Sequence, residues 1–87
     1  MRIQVRYFAS VREQLGAGEP VTLPDADDAP CTVGQLRAWL AGQSPAHAAA
    51  LDQTKGLRMA FNQTLCAPDQ ALADGAEVAF FPPVTGG

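Results

Sequence analysis

Side chains able to do chemistry are few and scattered in this chain. Cys31 and Cys66 lie far apart with no CxxC spacing. A disulfide scaffold of this size normally carries four or more cysteines, so the two read as reduced thiols. Neither has the charged neighbours that lower a thiol pKa. His47 is the only histidine, in the stretch PAHAAAL, and a zinc site needs about four ligands. Asp25, Asp27 and Asp28 could bind a cation, but a solvated loop with some helix-dipole benefit explains them better. Ser, His and Asp are all present without the spacing of a nucleophilic triad, and no glycine-rich phosphate loop occurs. What remains is the end of the chain, FFPPVTGG, residues 80–87.

Pro82 and Pro83 stop sheet pairing and favour extended polyproline geometry. Six residues follow Phe81, each spanning about 3.1–3.5 Å, so the segment Pro82, Pro83, Val84, Thr85, Gly86, Gly87 can project about 19–21 Å. Gly86 and Gly87 carry no side chain, which suits a narrow channel and unusual backbone angles. Two final glycines alone are also compatible with simple fraying. A stiff stem, a terminal Gly-Gly and adjacent apolar residues together suggest chemistry at the α-carboxylate of Gly87. A carboxylate is a poor electrophile; as an acyl-adenylate it gains a leaving group, and a sulfur nucleophile can displace AMP to leave a thiocarboxylate.

The elements that must hold such a tail follow from periodicity. Residues 2–8 alternate, with Ile3, Val5 and Tyr7 on one face and Arg2, Gln4 and Arg6 on the other; parity puts Phe8 on the polar side. Ser10 to Glu13 reads as a capping box opening a short helix that stops at Gly16. Pro20–Leu23 is a second strand, its proline suited to a start or an edge. Residues 24–31 form a loop. Thr32 and Gln35 repeat the capping-box pattern, and Val33, Leu36, Trp39 and Leu40 make one face of an 11-residue helix ending at Gly42. Trp39 could serve as a ligand platform, but at this spacing it fits the core better. Ser44-Pro45 opens a shorter helix that ends near Asp52. Leu57, Met59 and Phe61 mark a third strand, Asn62-Gln63 a turn, Thr64–Cys66 a short fourth strand and Glu77–Phe81 the last. In that strand Val78 and Phe80 share one face, Ala79 and Phe81 the other. The order β-β-α-(α)-β-β-β is α+β.

Composition excludes several classes. At 87 residues the chain is one domain, and about 63% of its unfolded surface can be buried. That leaves little room for a deep pocket. Hydrophobic residues are 47% and charged ones 17%, which is globular, and a net charge of −3 argues against nucleic acid as a partner. No apolar run approaches the roughly 20 residues of a membrane span, and MRIQVRYFAS has no signal-peptide core, so a cytoplasmic protein without a membrane partner is expected.

Three stretches carry a resemblance: Tyr7–Glu13 (YFASVRE), Asn62–Leu65 (NQTL) and Asp74–Gly87 (DGAEVAFFPPVTGG). The chain resembles the small, sulfur-carrying subunits of molybdopterin synthase. The last 14 residues are the specific part. Thiamin-pathway sulfur carriers share the Gly-Gly end but lack the Phe-Phe-Pro-Pro-Val stem. The resemblance implies a ubiquitin-like β-grasp domain over 1–81, a mixed sheet of about five strands covered on one face by a main helix, and a flexible tail over 82–87. It implies adenylation of Gly87 by an E1-like enzyme using ATP and magnesium, a transient C-terminal acyl-adenylate, and no intrinsically bound cofactor or metal. It further implies a large synthase subunit that holds the catalytic side chains and receives the tail, in a heterotetramer of two small and two large subunits. There, sulfur would pass to cyclic pyranopterin monophosphate to build the molybdopterin dithiolene. By position, Phe8, Leu65 and Phe81 match the family's partner-docking face. A related carrier, a modifier conjugated to lysines, and an interaction module with an inert tail are the alternatives.

Overall fold

The computed structural model describes residues 1–83. Strands β1 (Arg2–Tyr7), β2 (Gly18–Thr22), β3 (Arg58–Phe61), β4 (Thr64–Cys66) and β5 (Glu77–Phe81) form one sheet. Helix α1 (Ala9–Leu15) lies between β1 and β2, and α2 (Val33–Ala41) and α3 (Pro45–Ala50) lie between β2 and β3. The sheet order is β2-β1-β5-β3-β4. Only β1 and β5 run parallel; the other pairs are antiparallel. The last strand is therefore the central one.

Alternation in β1 puts Ile3, Val5 and Tyr7 on the inner face, where register sets Val5 beside Val78 and Tyr7 beside Phe80. Val33, Leu36 and Leu40 of α2 join them in a single core with Leu51 and Met59. Burying one such side chain contributes about 1.5–3 kcal/mol, so this inner face carries most of the fold's stability. Trp39 is half-buried against that core.

Thr32 caps α2 as expected, its Oγ1 accepting from the Gln35 N–H at 3.2 Å. Gln35 reaches back to the N–H of Cys31, one residue before the cap. Helix α2 has nine residues between Thr32 and Gly42, and Ser44 caps α3 with Pro45 at its first position.

Two expectations are corrected. The Ser10 capping box does not form: Phe8 is the N-cap of α1, with no side-chain cap hydrogen bond. The Phe8 N–H still pairs with Phe80, so the chain stays in the sheet through Phe8, and the Phe8 carbonyl accepts from Arg12. This early start needs φ 54° at Ala9 and leaves Ser10 inside the helix. The second strand also begins at Gly18, ahead of Pro20. A Cβ at Gly18 would lie 2.3 Å from the Val5 carbonyl oxygen, so only glycine lets the edge strand close on β1 there.

Candidate functional site: the outer sheet face and the tail root

The outer face is built by the same alternation. Register aligns Arg6, Ala79, Ala60 and Leu65 in one row across β1, β5, β3 and β4. Phe81 lies two residues further along β5, opposite Arg58. Phe8 continues the parity of Arg6 and projects on the same side. Leu65, whose strand is too short for periodicity to decide, is assigned to this face by its pairing with Ala60.

Phe8 is 42% exposed and Leu65 59%, two of the three exposed large apolar side chains among the described residues; Phe81 is half-buried. Between the two rings lies an apolar depression of about 450 Å³ lined also by Ala9, Ala60, Gln63, Glu77, Ala79 and Pro82. Its floor is Ala60 and Ala79, which end at Cβ and leave the space open. Exposed, contiguous apolar surface of this kind marks interaction sites. The Arg6 guanidinium sits 6.0 Å from the Phe8 ring centroid and pairs with Glu77 at 3.4 Å. The cation steadies the ring by about 0.5–1 kcal/mol, while the exposed ion pair adds little.

Phe80 is fully buried on the opposite face, so the two adjacent phenylalanines divide between core and surface. β5 ends at Phe81; Pro82 is half-buried against the depression and Pro83 is exposed. The stem thus leaves the middle of the sheet at the edge of its apolar patch. The expectations for Val84, Thr85, Gly86 and Gly87 lie outside the described residues.

The other chemistry-bearing residues take structural positions. Cys31 is exposed, with Sγ 3.1 Å from Gln35 Oε1. Burial and, secondarily, Asp69 push the Cys66 thiol pKa up, away from reactive thiolate character. Among the described residues, no group of three or more His, Cys, Asp or Glu could hold a metal ion. No helix among them is long and apolar enough to cross a membrane.

Sequence spacing missed a relay across β1, β2 and α3. Tyr7 donates its hydroxyl to Glu19 Oε2 at 2.9 Å, and His47 Nε2 lies 2.8 Å from the same oxygen. His47 Nδ1 lies 2.7 Å from Ser44 Oγ, which also accepts the His47 backbone N–H. That oxygen is occupied as a helix cap, so the relay fastens α3 to β2. Burial, then Glu19, raises the Tyr7 pKa. Arg37 was also missed: it is buried and donates to the carbonyls of Leu51, Asp52 and Lys55. Its signal was legible, because Val33, Leu36, Arg37 and Leu40 follow i, i+3, i+4, i+7 more closely than the stripe through Trp39.

A family model described as ThiS family matches residues 5–87. The chain belongs to the ThiS family. The molybdopterin synthase sulfur carrier subunit of Escherichia coli (strain K12) is 51% identical over 85 residues, spanning 98% of this chain and 99% of that protein. The crystal structure of SAMP1 from Haloferax volcanii matches at 30% identity and TM-score 0.72 over the full length of both chains. A chain from the protein–protein complex of subunits 1 and 2 of molybdopterin-converting factor from Helicobacter pylori 26695 matches at 25% identity and TM-score 0.64, also over both full lengths. This ThiS-family chain has the ubiquitin-like β-grasp fold, with the mixed five-stranded sheet and covering helix that the resemblance implied.

Proposed function

We propose that this chain is the sulfur carrier subunit of a molybdopterin synthase. The observation that carries the reading is the position of the tail root: the central strand β5 runs into Pro82-Pro83 at the edge of the apolar face. The Escherichia coli relative, similar over nearly the whole chain, supports the same pathway. The chemistry falls on the α-carboxylate of Gly87. An E1-like enzyme uses ATP and magnesium to convert its carboxylate to an adenylate, with pyrophosphate leaving. A sulfur nucleophile then displaces AMP, and the thiocarboxylate forms.

The apolar face bearing Phe8, Leu65 and Phe81 docks on the large subunit, while Pro82, Pro83, Val84, Thr85 and Gly86 deliver the sulfur into its active site. Two loaded carriers in turn supply the dithiolene of molybdopterin from cyclic pyranopterin monophosphate, in a heterotetramer of two small and two large subunits. The Helicobacter pylori complex supports a large-subunit partner of this kind. Deleting Gly87 tests the tail directly. The variant should melt within about 0.5 kcal/mol of the parent and accept no sulfur in a reconstituted loading reaction. Turnover supported by the truncated carrier would exclude the mechanism.

The likeness to SAMP1, a small archaeal modifier protein, favours a second reading, in which the activated Gly87 is transferred to lysines. Loading with the E1-like enzyme would then yield isopeptide ladders in place of a thiocarboxylate.

A further inference from the structure

Left-handed backbone is concentrated around the depression. The non-glycine residues with positive φ among the described residues are Ala9, Asn62 and Gln63. Ala9 and Gln63 line the depression, and Asn62 is bonded to Glu77, which also lines it. Asn62 and Gln63 form the two-residue turn joining β3 to β4, with φ 48° and 69°. Both central positions of such a turn require positive φ, and the second strongly favours glycine.

Asn62 has a local explanation. Its Oδ1 accepts the Glu77 N–H at 2.9 Å, its own N–H donates to the Glu77 carbonyl at 2.8 Å, and asparagine tolerates this backbone. Gln63 has none. It holds a strained conformation that glycine would adopt freely, and its side chain makes no hydrogen bond among the described residues. It stands exposed at the rim of a depression whose other lining residues are apolar except Glu77. Strained backbone of this kind clusters at ligand clamps and other functional sites.

We infer that Gln63 is a specificity-determining residue of the docking face, whose amide pairs with a main-chain peptide group of the large subunit while an apolar side chain from the same segment fills the depression. A primary amide presents two N–H donors and an acceptor oxygen in one plane, and one of those donors with the oxygen is complementary to a peptide bond. The inference rests on the proposed docking of this face, which Phe8, Ala79 and Phe81 test independently of Gln63.

The test is titration of the full-length carrier against the large synthase subunit, with thermal melts on each variant. Gln63→Gly should melt at or above the parent temperature yet bind about tenfold more weakly, as expected for two lost hydrogen bonds. Gln63→Glu keeps the length and the backbone strain but loses the donor, and should weaken binding by at least about fivefold. Parent-like affinity in Gln63→Gly overturns the inference. So does parent-like affinity in Gln63→Glu, which would assign the glycine effect to turn flexibility. Weakening by Phe81→Ala with both Gln63 variants unaffected would retain the docking face and remove Gln63 from it. Failure of the parent itself to bind would overturn both the docking face and the inference.

Discussion

Phe80 and Phe81 are covalent neighbours on opposite sides of one sheet, and their truncation should separate stability from binding. Phe80 is fully buried beside Tyr7 and Met59. Phe80→Ala should cost about 3–5 kcal/mol by thermal or denaturant unfolding. Phe81→Ala should cost about 1 kcal/mol or less, yet weaken large-subunit binding by about 2 kcal/mol or more. Equal destabilisation of the two, with binding lost only through unfolding, would take Phe81 off the docking face. Tyr7 allows a second test because it is the only tyrosine. Its burial and its bond to Glu19 hold the folded-state pKa above the ordinary value near 10.0. The unfolded chain therefore loses a proton that the folded chain keeps. Stability is fully present below about pH 10 and falls above it as the unfolded state ionises. Tyrosinate absorbance should stay silent through pH 10 while the protein is folded, then rise together with loss of structure. Titration near pH 10 in the intact fold would mean that Tyr7 is not sealed.

At the scale of elements, Arg37 shows how α2 organises the segment after α3. Its guanidinium donates to three carbonyls, at Leu51, Asp52 and Lys55; those of Asp52 and Lys55 also accept from the Lys55 and Leu57 N–H groups, so Leu51 depends on Arg37 most. Arg37→Met should cost about 2–3 kcal/mol, read as a fall in melting temperature. Arg37→Lys should fail to restore it, since one ammonium on a flexible stem cannot match the planar fork. Unchanged melting of Arg37→Met would show that water and the existing backbone bonds from Lys55 and Leu57 satisfy those carbonyls. The existence of the strands, the α2 and α3 caps and the Phe80/Phe81 division were legible in the sequence because period-two alternation and Ser/Thr caps are local signals; the start of β2 at Gly18 was not. Nor was the start of α1. Ser10 and Glu13 fit a capping box, but the tertiary bond from Phe8 to Phe80 kept the chain in the sheet and moved the helix start to Ala9. Arg37 was hidden by its charge, although its spacing placed it on the buried face. The floor of the depression was invisible for another reason. Ala60 and Ala79 become neighbours only through the β3–β5 register, a pairing between residues far apart in the chain.

At the scale of the molecule, the sheet separates two tasks. Its inner face, sealed by the helices, holds the fold, and its outer face keeps Phe8, Leu65 and Phe81 available around the root of the tail. Because β5 is central, the stem is fastened on both sides, by β1 and β3, up to Phe81. A partner gripping the outer face thereby fixes where the tail begins, and the remaining residues need only reach. The central claim is that the carboxylate of Gly87 carries the sulfur. Intact mass spectrometry of the protein isolated from its own cells, with fragmentation to place the modification, tests this most directly. The account predicts a population with one oxygen exchanged for one sulfur, confined to Gly87. An unmodified carboxylate throughout, sulfur located on Cys31 or Cys66, or isopeptide conjugates in its place would contradict it.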